Sequence, residues 1–203
     1  WYSRWGKRTL DLFLTTLGFI WAFPLLIVIA LVVKRELGSP VMFTQVRPGL
    51  HGKPFVLYKF CTMTDQRDEN GNPLPDVRRL TRLGRLLRRS SLDELPELWN
   101  IFKNDMSIVG PRPLLMEYLE RYTAEQARRH DAKPGLTGWA QINGRNNISW
   151  EEKFNMDVWY VDHQSFLLDI RIIFITILKV LRREGINQTG QATATEFTGS
   201  SRT

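Results

Sequence analysis

The sequence has very few of the residues that build disulfide frameworks or metal sites. Its 203 residues include one cysteine, Cys61, which excludes an intrachain disulfide framework and favours a reducing compartment. Its three histidines, His51, His130 and His163, show no spacing typical of metal ligands. The chain also lacks an internal repeat, and its length suits one domain with a real hydrophobic core.

Acidic residues are outnumbered by basic ones. Lysine and arginine number 28 and aspartate and glutamate 21, so the formal net charge is +7 and the isoelectric point is about 9.8. This excess favours anionic partners such as nucleic acid, anionic lipid or phosphorylated small molecules. We expect no nucleic acid among them, because the chain carries no known reader motif and its long apolar segment would then have no purpose.

Charge is absent from one long segment near the N-terminus, residues 12–33. About 20 such residues can span a bilayer, and Lys34 and Arg35 follow in place of a signal-peptide cleavage site. Pro24 removes a backbone hydrogen bond near the middle and predicts a kink or a break. Because both flanks are basic, the positive-inside rule favours a re-entrant membrane helix over residues 1–36, with a single kinked span as the alternative.

Charged residues interrupt a second apolar segment, residues 165–183, too often for it to span a membrane. On a helix of about 100° per residue, its polar side chains fall within roughly half of the circle. The other half holds Phe166, Leu167, Ile170, Phe174, Ile177, Leu178 and Leu181. This pattern is typical of a helix that lies in the membrane interface, and equally of an amphipathic helix packed on a soluble core.

The rest of the chain predicts a helix-rich α+β fold, a single compact domain with a small β-hairpin. Two β-rich runs around a turn predict the hairpin over residues 41–60. Loops are predicted over residues 65–76 and 133–145, the first polar and the second rich in glycine. Helices are predicted over residues 77–89, 114–129 and 150–163, with another that opens at Ser91. The compact domain would occupy residues 37–186 and precede a polar tail, residues 187–203.

Two adjacent carboxylates, Asp93 and Glu94, are the most suggestive chemical feature. Ser91 and Glu94 match a capping box, and acids are ordinary in a first helical turn, so the pair has a purely structural explanation. Neighbours on a helix point about 100° apart and cannot flank one bond as glycosidase carboxylates do. They can divide the work of phosphoryl transfer, one as the nucleophile and the other as a ligand of Mg²⁺, beside arginines that neutralise phosphate.

The segment GPRP, residues 110–113, is a candidate anion site. It ends an apolar run and is predicted to open a helix, which would place Arg112 beside the positive end of that helix. Lys59, at the end of a predicted strand, and Arg145, in the predicted glycine-rich loop, are further cationic candidates. Each of them, taken alone, is more typical of a surface charge.

Several ordered motifs together resemble one known family. They are KRTLDLFLTTLGF, VMFTQVRPGLHGKPFVLYKFCTM, RLGRLLRRSSLDELPELWNIFKNDMSIVGPRPLL, RHDAKPGLTGWAQINGR and FNMDVWYV. From about Lys7 to the tail, the chain resembles the bacterial sugar transferases, which are monotopic phosphoglycosyl transferases. It looks most like the small single-domain members, such as the enzyme of the Campylobacter protein-glycosylation pathway.

The resemblance implies a catalytic domain on the cytoplasmic face of the bacterial inner membrane. Members of the family move a sugar 1-phosphate from a UDP-sugar to polyprenol (undecaprenyl) phosphate, the first membrane step of glycoconjugate assembly. By resemblance, Asp93 would form a covalent phospho-sugar intermediate and release UMP, while Glu94 would assist with Mg²⁺; both are candidate metal ligands. The positions that match the family's substrate- and phosphate-binding residues are Lys59, Arg88, Pro111, Arg112, Pro113, Gln141, Arg145 and Asp157.

The resemblance also implies a re-entrant helix that breaks at Pro24. A serine often precedes this proline in close relatives, whereas this chain has Phe23, which lacks a hydroxyl group to cap a freed backbone group.

Two other functions stay open on the residues alone. A non-catalytic basic membrane adaptor would need the apolar segment and the positive charge, but not Asp93, Glu94 and the GPRP segment together. A phosphatase with an aspartate nucleophile would release free sugar phosphate without a lipid acceptor.

Overall fold

Most of the chain is helical, and the short strands form two separate two-stranded sheets. A computed structural model describes residues 2–144, 148–182 and 196–199. The α-helices are α1 (Lys7–Leu37), α2 (Asp76–Arg79), α3 (Arg82–Arg89), α4 (Glu97–Phe102), α5 (Ala124–Ala127), α6 (Trp139–Asn143), α7 (Trp150–Asp162) and α8 (Phe166–Arg182). The strands are β1 (Met42–Pro48), β2 (Pro54–Phe60), β3 (Ser107–Val109) and β4 (Gly135–Thr137). The predicted helix-rich α+β fold is confirmed.

The predicted hairpin is also confirmed. Strands β1 and β2 pair antiparallel from Met42 opposite Phe60 to Pro48 opposite Pro54. Their turn is closed by the amide of Gly49, which donates to the carbonyl of Lys53 at 2.7 Å. Lys59 lies near the end of β2, where its side chain reaches α4 and the turn before it.

Two predicted helices are divided in the structure. The helix predicted over 77–89 is interrupted at Leu80, whose extended backbone pairs with Met63, and α3 then starts afresh with Thr81 as its cap. The single helix predicted over 114–129 is wrong. The chain there forms a 3₁₀ turn (Met116–Arg121), and extended residues precede α5, where a capping box at Thr123 starts a new helix.

The predicted glycine-rich loop over 133–145 is wrong as well. It contains β4, which pairs parallel to β3, and then α6. Glycine is required because the backbones come very close: a Cβ at Gly110 would lie 2.2 Å from the carbonyl oxygen of Lys133, and one at Gly135 would lie 2.1 Å from the amide of Gly110. The glycines that suggested a loop therefore allow two strands to meet.

One side of α1 packs along the rest of the protein. Thr15 and Val33, near its two ends, are both fully buried. Asp11 accepts hydrogen bonds from the Ser107 hydroxyl (3.0 Å) and the Ile108 amide (2.9 Å), which tie the start of the helix to β3. Toward its other end, Val33 packs into a cluster that includes Phe60 and Leu87. Both ends of α1 are thus held by the same globular domain.

The other side of α1 is apolar and exposed. Its exposed large side chains are Phe13, Leu17, Ile20, Trp21, Phe23, Leu25, Ile27, Val28, Leu31 and Val32. Within the described residues, α1 is the one helix long and apolar enough to cross a membrane by length and composition, and only 11% of its most apolar window is buried. That exposure is unlike a soluble core helix. The backbone stays helical through Pro24, and the re-entrant break there stays a prediction.

The amphipathic helix predicted over 165–183 is present as α8. Asp169 and Thr176 of its polar side face the protein, whereas Arg171 and Arg182 are exposed. Asp169 is fully buried and binds the Lys7 ammonium at 2.6 Å and the Tyr160 hydroxyl at 2.7 Å. Thr176 meets Thr137 of β4 at 2.7 Å. The exposed side carries Phe166, Leu167, Ile170, Phe174, Ile177 and Leu181. Ile172 packs inward against the core, but the six large apolar side chains just named stay exposed, and this exposure favours the interfacial alternative.

Substitution of Lys7 by Met should strongly destabilise the protein. It leaves the Asp169 carboxylate buried without its ammonium partner, and breaking a buried pair in this way costs about 3–5 kcal/mol. We expect a clear fall in the melting temperature of the detergent-solubilised protein. Asp65→Asn is the control, because it removes an ion pair with Arg67 in which both side chains are exposed. Equal melting temperatures for the two variants would contradict a supporting role for the Lys7–Asp169 pair.

Candidate active site

The adjacent carboxylates lie in a short 3₁₀ turn, Leu92–Glu94, between α3 and α4. The capping box predicted for Ser91 and Glu94 is wrong. Ser91 has left-handed backbone angles (φ 56°, ψ 19°) and its side chain caps nothing, whereas an N-cap residue is normally extended. The Glu94 carboxylate turns instead toward cations from two other parts of the fold, so its contacts depend on tertiary structure.

Glu94 is fixed by two cations at one oxygen. Its Oε1 accepts hydrogen bonds from the Lys59 ammonium and from the Arg112 guanidinium, each at 2.6 Å. Burial by itself would raise the pKa of Glu94, but Arg112 and Lys59 outweigh burial and hold that pKa well below its usual range. Glu94 is therefore ionised and held in place.

A third carboxylate, Glu97, belongs to the same cluster and was missed by the sequence analysis. Its side chain is 2% exposed, and its Oε1 lies 3.0 Å from the Lys59 ammonium that also binds Glu94. Burial and the nearby charge of Glu94 raise the pKa of Glu97 to about 7, although Lys59 opposes this. The available signal was its spacing, because Glu97 lies three residues after Glu94 and three residues bring helical side chains to one face.

Asp93 differs from its neighbour in having no fixed partner. Its side chain is 8% exposed, and within the described ranges of the chain no hydrogen bond to its carboxylate is present. Burial and the adjacent Glu94 raise the pKa of Asp93, while Lys59, Arg88 and Arg112 pull it down. One carboxylate is thus bound tightly, and the next is buried among cations with its oxygens available.

The predicted cations Lys59, Arg88 and Arg112 do converge on this pair. Arg88 lies in the last turn of α3, where its Nε donates to the Thr62 hydroxyl at 3.0 Å, and its charge acts on Asp93. Arg112 follows β3. The prediction that GPRP opens a helix is wrong, because the chain stays extended: the amide of Gly110 bonds to Thr137 (2.8 Å) and the carbonyl of Pro111 to Gly135 (3.0 Å). Pro111 and Pro113 flank Arg112 in this extended segment.

Asp157 does not contact the carboxylate cluster directly and is linked to it through Arg129. It is 3% exposed and receives two hydrogen bonds from Arg129, at 2.7 and 3.1 Å. Arg129 is itself 1% exposed and donates to the backbone carbonyl of Arg112 at 2.8 Å. Asp157 therefore acts on the backbone that carries Arg112, and its carboxylate is committed to Arg129.

Two other predicted residues are not brought into the cluster by any described contact. The Gln141 amide donates to the Leu136 carbonyl at 3.1 Å, and its Oε1 is buried without a partner in the part of the chain that the structure describes. Arg145 lies outside the described residues.

The donor set suits Mg²⁺ that is shared with a phosphorylated substrate. Among residues 2–144, 148–182 and 196–199, no three His, Cys, Asp or Glu side chains are grouped as a protein-only metal site. Mg²⁺ commonly uses only one or two carboxylates, with phosphate and water oxygens completing its shell. The Asp93 carboxylate and the second oxygen of Glu94 meet that need, because only Oε1 of Glu94 binds Lys59 and Arg112.

These features together define a membrane-associated protein with a site for phosphate chemistry. A helix-rich α+β domain presents apolar helix faces outward and buries a carboxylate pair among cations, an arrangement suited to phosphate chemistry near a membrane. A family model described as "Bacterial sugar transferase" matches residues 2–183. The chain belongs to the bacterial sugar transferase family.

Individual relatives agree with this family. The chain is 66% identical over 169 residues to the "Uncharacterized sugar transferase EpsL" of Bacillus subtilis (strain 168), with 83% of this chain and 84% of that protein covered. It is 38% identical over 200 residues to the undecaprenyl-phosphate galactose phosphotransferase of Salmonella typhimurium, covering 90% of this chain and 42% of that protein. It is 39% identical over 187 residues to the UDP-glucose:undecaprenyl-phosphate glucose-1-phosphate transferase of Escherichia coli (strain K12), covering 87% of this chain and 40% of that protein. The chain therefore spans about two-fifths of the length of the last two relatives.

Substitution of Glu97 by Gln should stabilise the protein at pH 8 and not at pH 5. A carboxyl group whose pKa is raised from 4.5 to about 7 on folding contributes stability while it is protonated, and this contribution is lost as the pH rises through that interval. Gln mimics the protonated form, so the variant should gain up to about 3 kcal/mol over the parent above pH 7. Melting temperatures from pH 5 to 8 test this, with the exposed Glu120→Gln as the control. A difference that does not change with pH would contradict the prediction.

Proposed function

We propose that this protein is a monotopic phosphoglycosyl transferase. It would move a sugar 1-phosphate from a UDP-sugar to polyprenol (undecaprenyl) phosphate, in the first membrane step of glycoprotein, O-antigen or capsule assembly. Family membership and the reactions for which the relatives are named support this reaction class. The observation that carries the proposal is the contrast between Glu94, bound by two cations, and Asp93, buried beside them with no hydrogen bond in the described residues.

The contrast supports different roles for the two carboxylates. An Asp93 carboxylate oxygen attacks the sugar-bearing phosphorus, the bond from that phosphorus to the bridging oxygen breaks, and UMP leaves. A phosphate oxygen of the polyprenol phosphate then attacks the same phosphorus, and the bond to Asp93 breaks. Glu94 is a poor candidate for the nucleophile, because Lys59 and Arg112 both hold its Oε1 and lower its basicity.

The surrounding cations neutralise the phosphates during both steps. Arg88 and Arg112 lie beside Asp93, and a guanidinium group suits phosphate because of its planar set of donors. Lys59 holds Glu94 in place, so Glu94 can assist the second step without itself forming a covalent bond to the substrate. Mg²⁺, when bound by Asp93, Glu94 and the substrate, would supply further charge neutralisation at the diphosphate.

The surface supports a monotopic protein on the cytoplasmic face of the bacterial inner membrane. The exposed sides of α1 and α8 are apolar, and their opposite sides are bound to one globular domain. Since Asp11 and Val33 contact the same domain, both ends of α1 lie on one side of a bilayer unless that domain also crosses it. This favours a re-entrant path over a simple span; the turn at Pro24 that such a path needs stays a proposal, because the backbone is helical there.

The covalent step can be tested by intact-protein mass. Detergent-solubilised protein mixed with candidate UDP-sugars and Mg²⁺, without lipid, should gain the mass of one sugar phosphate and lose it again on addition of polyprenol phosphate. Asp93→Asn should form no adduct and should lower turnover by more than about 1,000-fold, because it removes the nucleophile. Glu94→Gln is the matched variant that keeps Asp93.

Each rival function gives a different result in this experiment. Lipid-linked product without an adduct would exclude the covalent step and make Asp93 a metal ligand or a base. Free sugar phosphate released without lipid would indicate a phosphatase. No reaction with any donor, together with an unchanged phenotype of Asp93→Asn in cells, would indicate an adaptor.

The membrane path can be tested with single cysteines. In a Cys61→Ser background, Trp5→Cys and Glu36→Cys place one thiol at each end of α1, where both native side chains are exposed. A membrane-impermeant maleimide should label both positions in inverted vesicles and neither in intact spheroplasts, because a re-entrant helix keeps both ends in the cytoplasm. Labelling of the two positions from opposite sides would establish a single span.

A further inference from the structure

Lys153 is a half-buried cation that has no carboxylate partner among the described residues. It lies in the first turn of α7, and its ammonium sits 4.4 Å from the centre of the Trp150 ring. Within the described residues, no carboxylate forms a salt bridge with it and no hydrogen bond is made by its ammonium. The first turn of a helix carries partial positive charge, which disfavours lysine there.

The nearest acid on its own helix is already occupied. Asp157 lies one turn further along α7, but its carboxylate accepts both hydrogen bonds from the buried Arg129. Arg129 in turn donates to the carbonyl of Arg112 at 2.8 Å. These contacts join the middle of α7 to the segment that carries Arg112, and Lys153, one helical turn before Asp157, lies at the border of that segment.

Positive charge collects at this border. Burial, together with the charges of Arg112 and Arg129, lowers the pKa of Lys153 to about 8 against the opposing charge of Asp157. The charge of Arg112 also acts on Arg47, whose Nε is buried without a partner in the described part of the chain; burial and Arg112 lower the pKa of Arg47 as well. One guanidinium nitrogen of Arg112 is already bound to Glu94. Such crowding of cations is offset when a polyanion binds.

We propose that Lys153 is a substrate-binding residue that holds a phosphate group beside Arg112. The reaction proposed above brings two phosphates to the cluster besides the one that Asp93 attacks: the nucleotide phosphate of the donor and the phosphate of the acceptor. This inference rests on that proposed function. The ammonium of Lys153 lies over the Trp150 ring, which fixes its position, and an arginine could replace the lysine there because guanidinium groups also lie over aromatic rings.

Steady-state kinetics of Lys153→Met and Lys153→Arg test the proposal. In a ping-pong reaction, kcat/KM for the donor and kcat/KM for the acceptor report the two half-reactions separately. Loss of one hydrogen bond to a charged group corresponds to about a 10- to 100-fold fall, so Lys153→Met should lower one of the two kcat/KM values by that factor. Lys153→Arg should restore most of it. Lys53→Met, which removes an exposed cation from the hairpin turn, should change neither value.

The two kcat/KM values together show whether Lys153 binds the nucleotide phosphate of the donor or the phosphate of the acceptor. A fall in kcat/KM for the donor, together with weaker binding of UMP measured by calorimetry, assigns Lys153 to the nucleotide phosphate. A fall in kcat/KM for polyprenol phosphate with unchanged UMP binding assigns it to the acceptor. If the Met variant folds poorly, the same two kcat/KM values are measured for Lys153→Gln, which keeps part of the aliphatic side chain and removes the charge.

Two results would overturn the proposal. One is a change of less than twofold in both kcat/KM values for a Met or Gln variant with the parental melting temperature. The other is an equal loss in both values with a lowered melting temperature that Lys153→Arg does not restore, which indicates a structural role. The covalent adduct of the parent protein is measured independently, so absence of that adduct would count against the proposed function and not against Lys153.

Discussion

One half-buried ammonium group holds the candidate site together. Lys59 lies near the end of β2 and meets Glu94 at 2.6 Å and Glu97 at 3.0 Å, which joins the hairpin to α4 and the turn before it. Carboxylates so close in sequence can be buried only because cations offset their charge. The compensation is uneven: Glu94 receives two hydrogen bonds at one oxygen, Glu97 shares Lys59 and has a raised pKa, and Asp93 keeps its oxygens available. Because the cations are shared unevenly, the three acids of this short segment differ in pKa and in how many hydrogen bonds they accept.

A second layer of contacts positions the first. The fully buried Arg129–Asp157 pair binds the backbone of Arg112, and the pairing of β3 with β4 keeps the segment before it extended. The same inward direction of polar groups recurs at the membrane helices. Asp11 of α1 and Asp169 of α8 turn toward the domain, whereas the apolar sides of both helices turn outward. A site for anionic substrates and an apolar surface are thus built on one small domain, which suits a reaction between a water-soluble donor and a lipid-borne acceptor.

Several elements could be predicted from the sequence because their signals are local. The hairpin follows from two β-rich runs around a turn, and α7 and α8 from helical periodicity. The errors arose where a local signal competed with a distant partner. Ser91 and Glu94 have the spacing of a capping box, but Lys59 and Arg112 draw the glutamate away. The glycines at 110 and 135 have the composition of a loop, but they permit two strands to approach. For Glu97 the sequence offered only its three-residue spacing from Glu94, because its partner Lys59 is distant in sequence.

The sequence by itself determined the family, the apolar segment, the basic character and the identity of Asp93, Glu94, Lys59, Arg88 and Arg112 as candidates. These depend on residue type and on short-range order, which are written in the chain. Only the tertiary structure decided which carboxylate is bound and which is available, and that Asp157 supports Arg112 through Arg129. It also decided that Lys153 lies beside them without a salt bridge to any described residue. Those properties depend on burial and on distances of a few ångströms between groups far apart in sequence, and the strength of electrostatic interactions changes steeply with both.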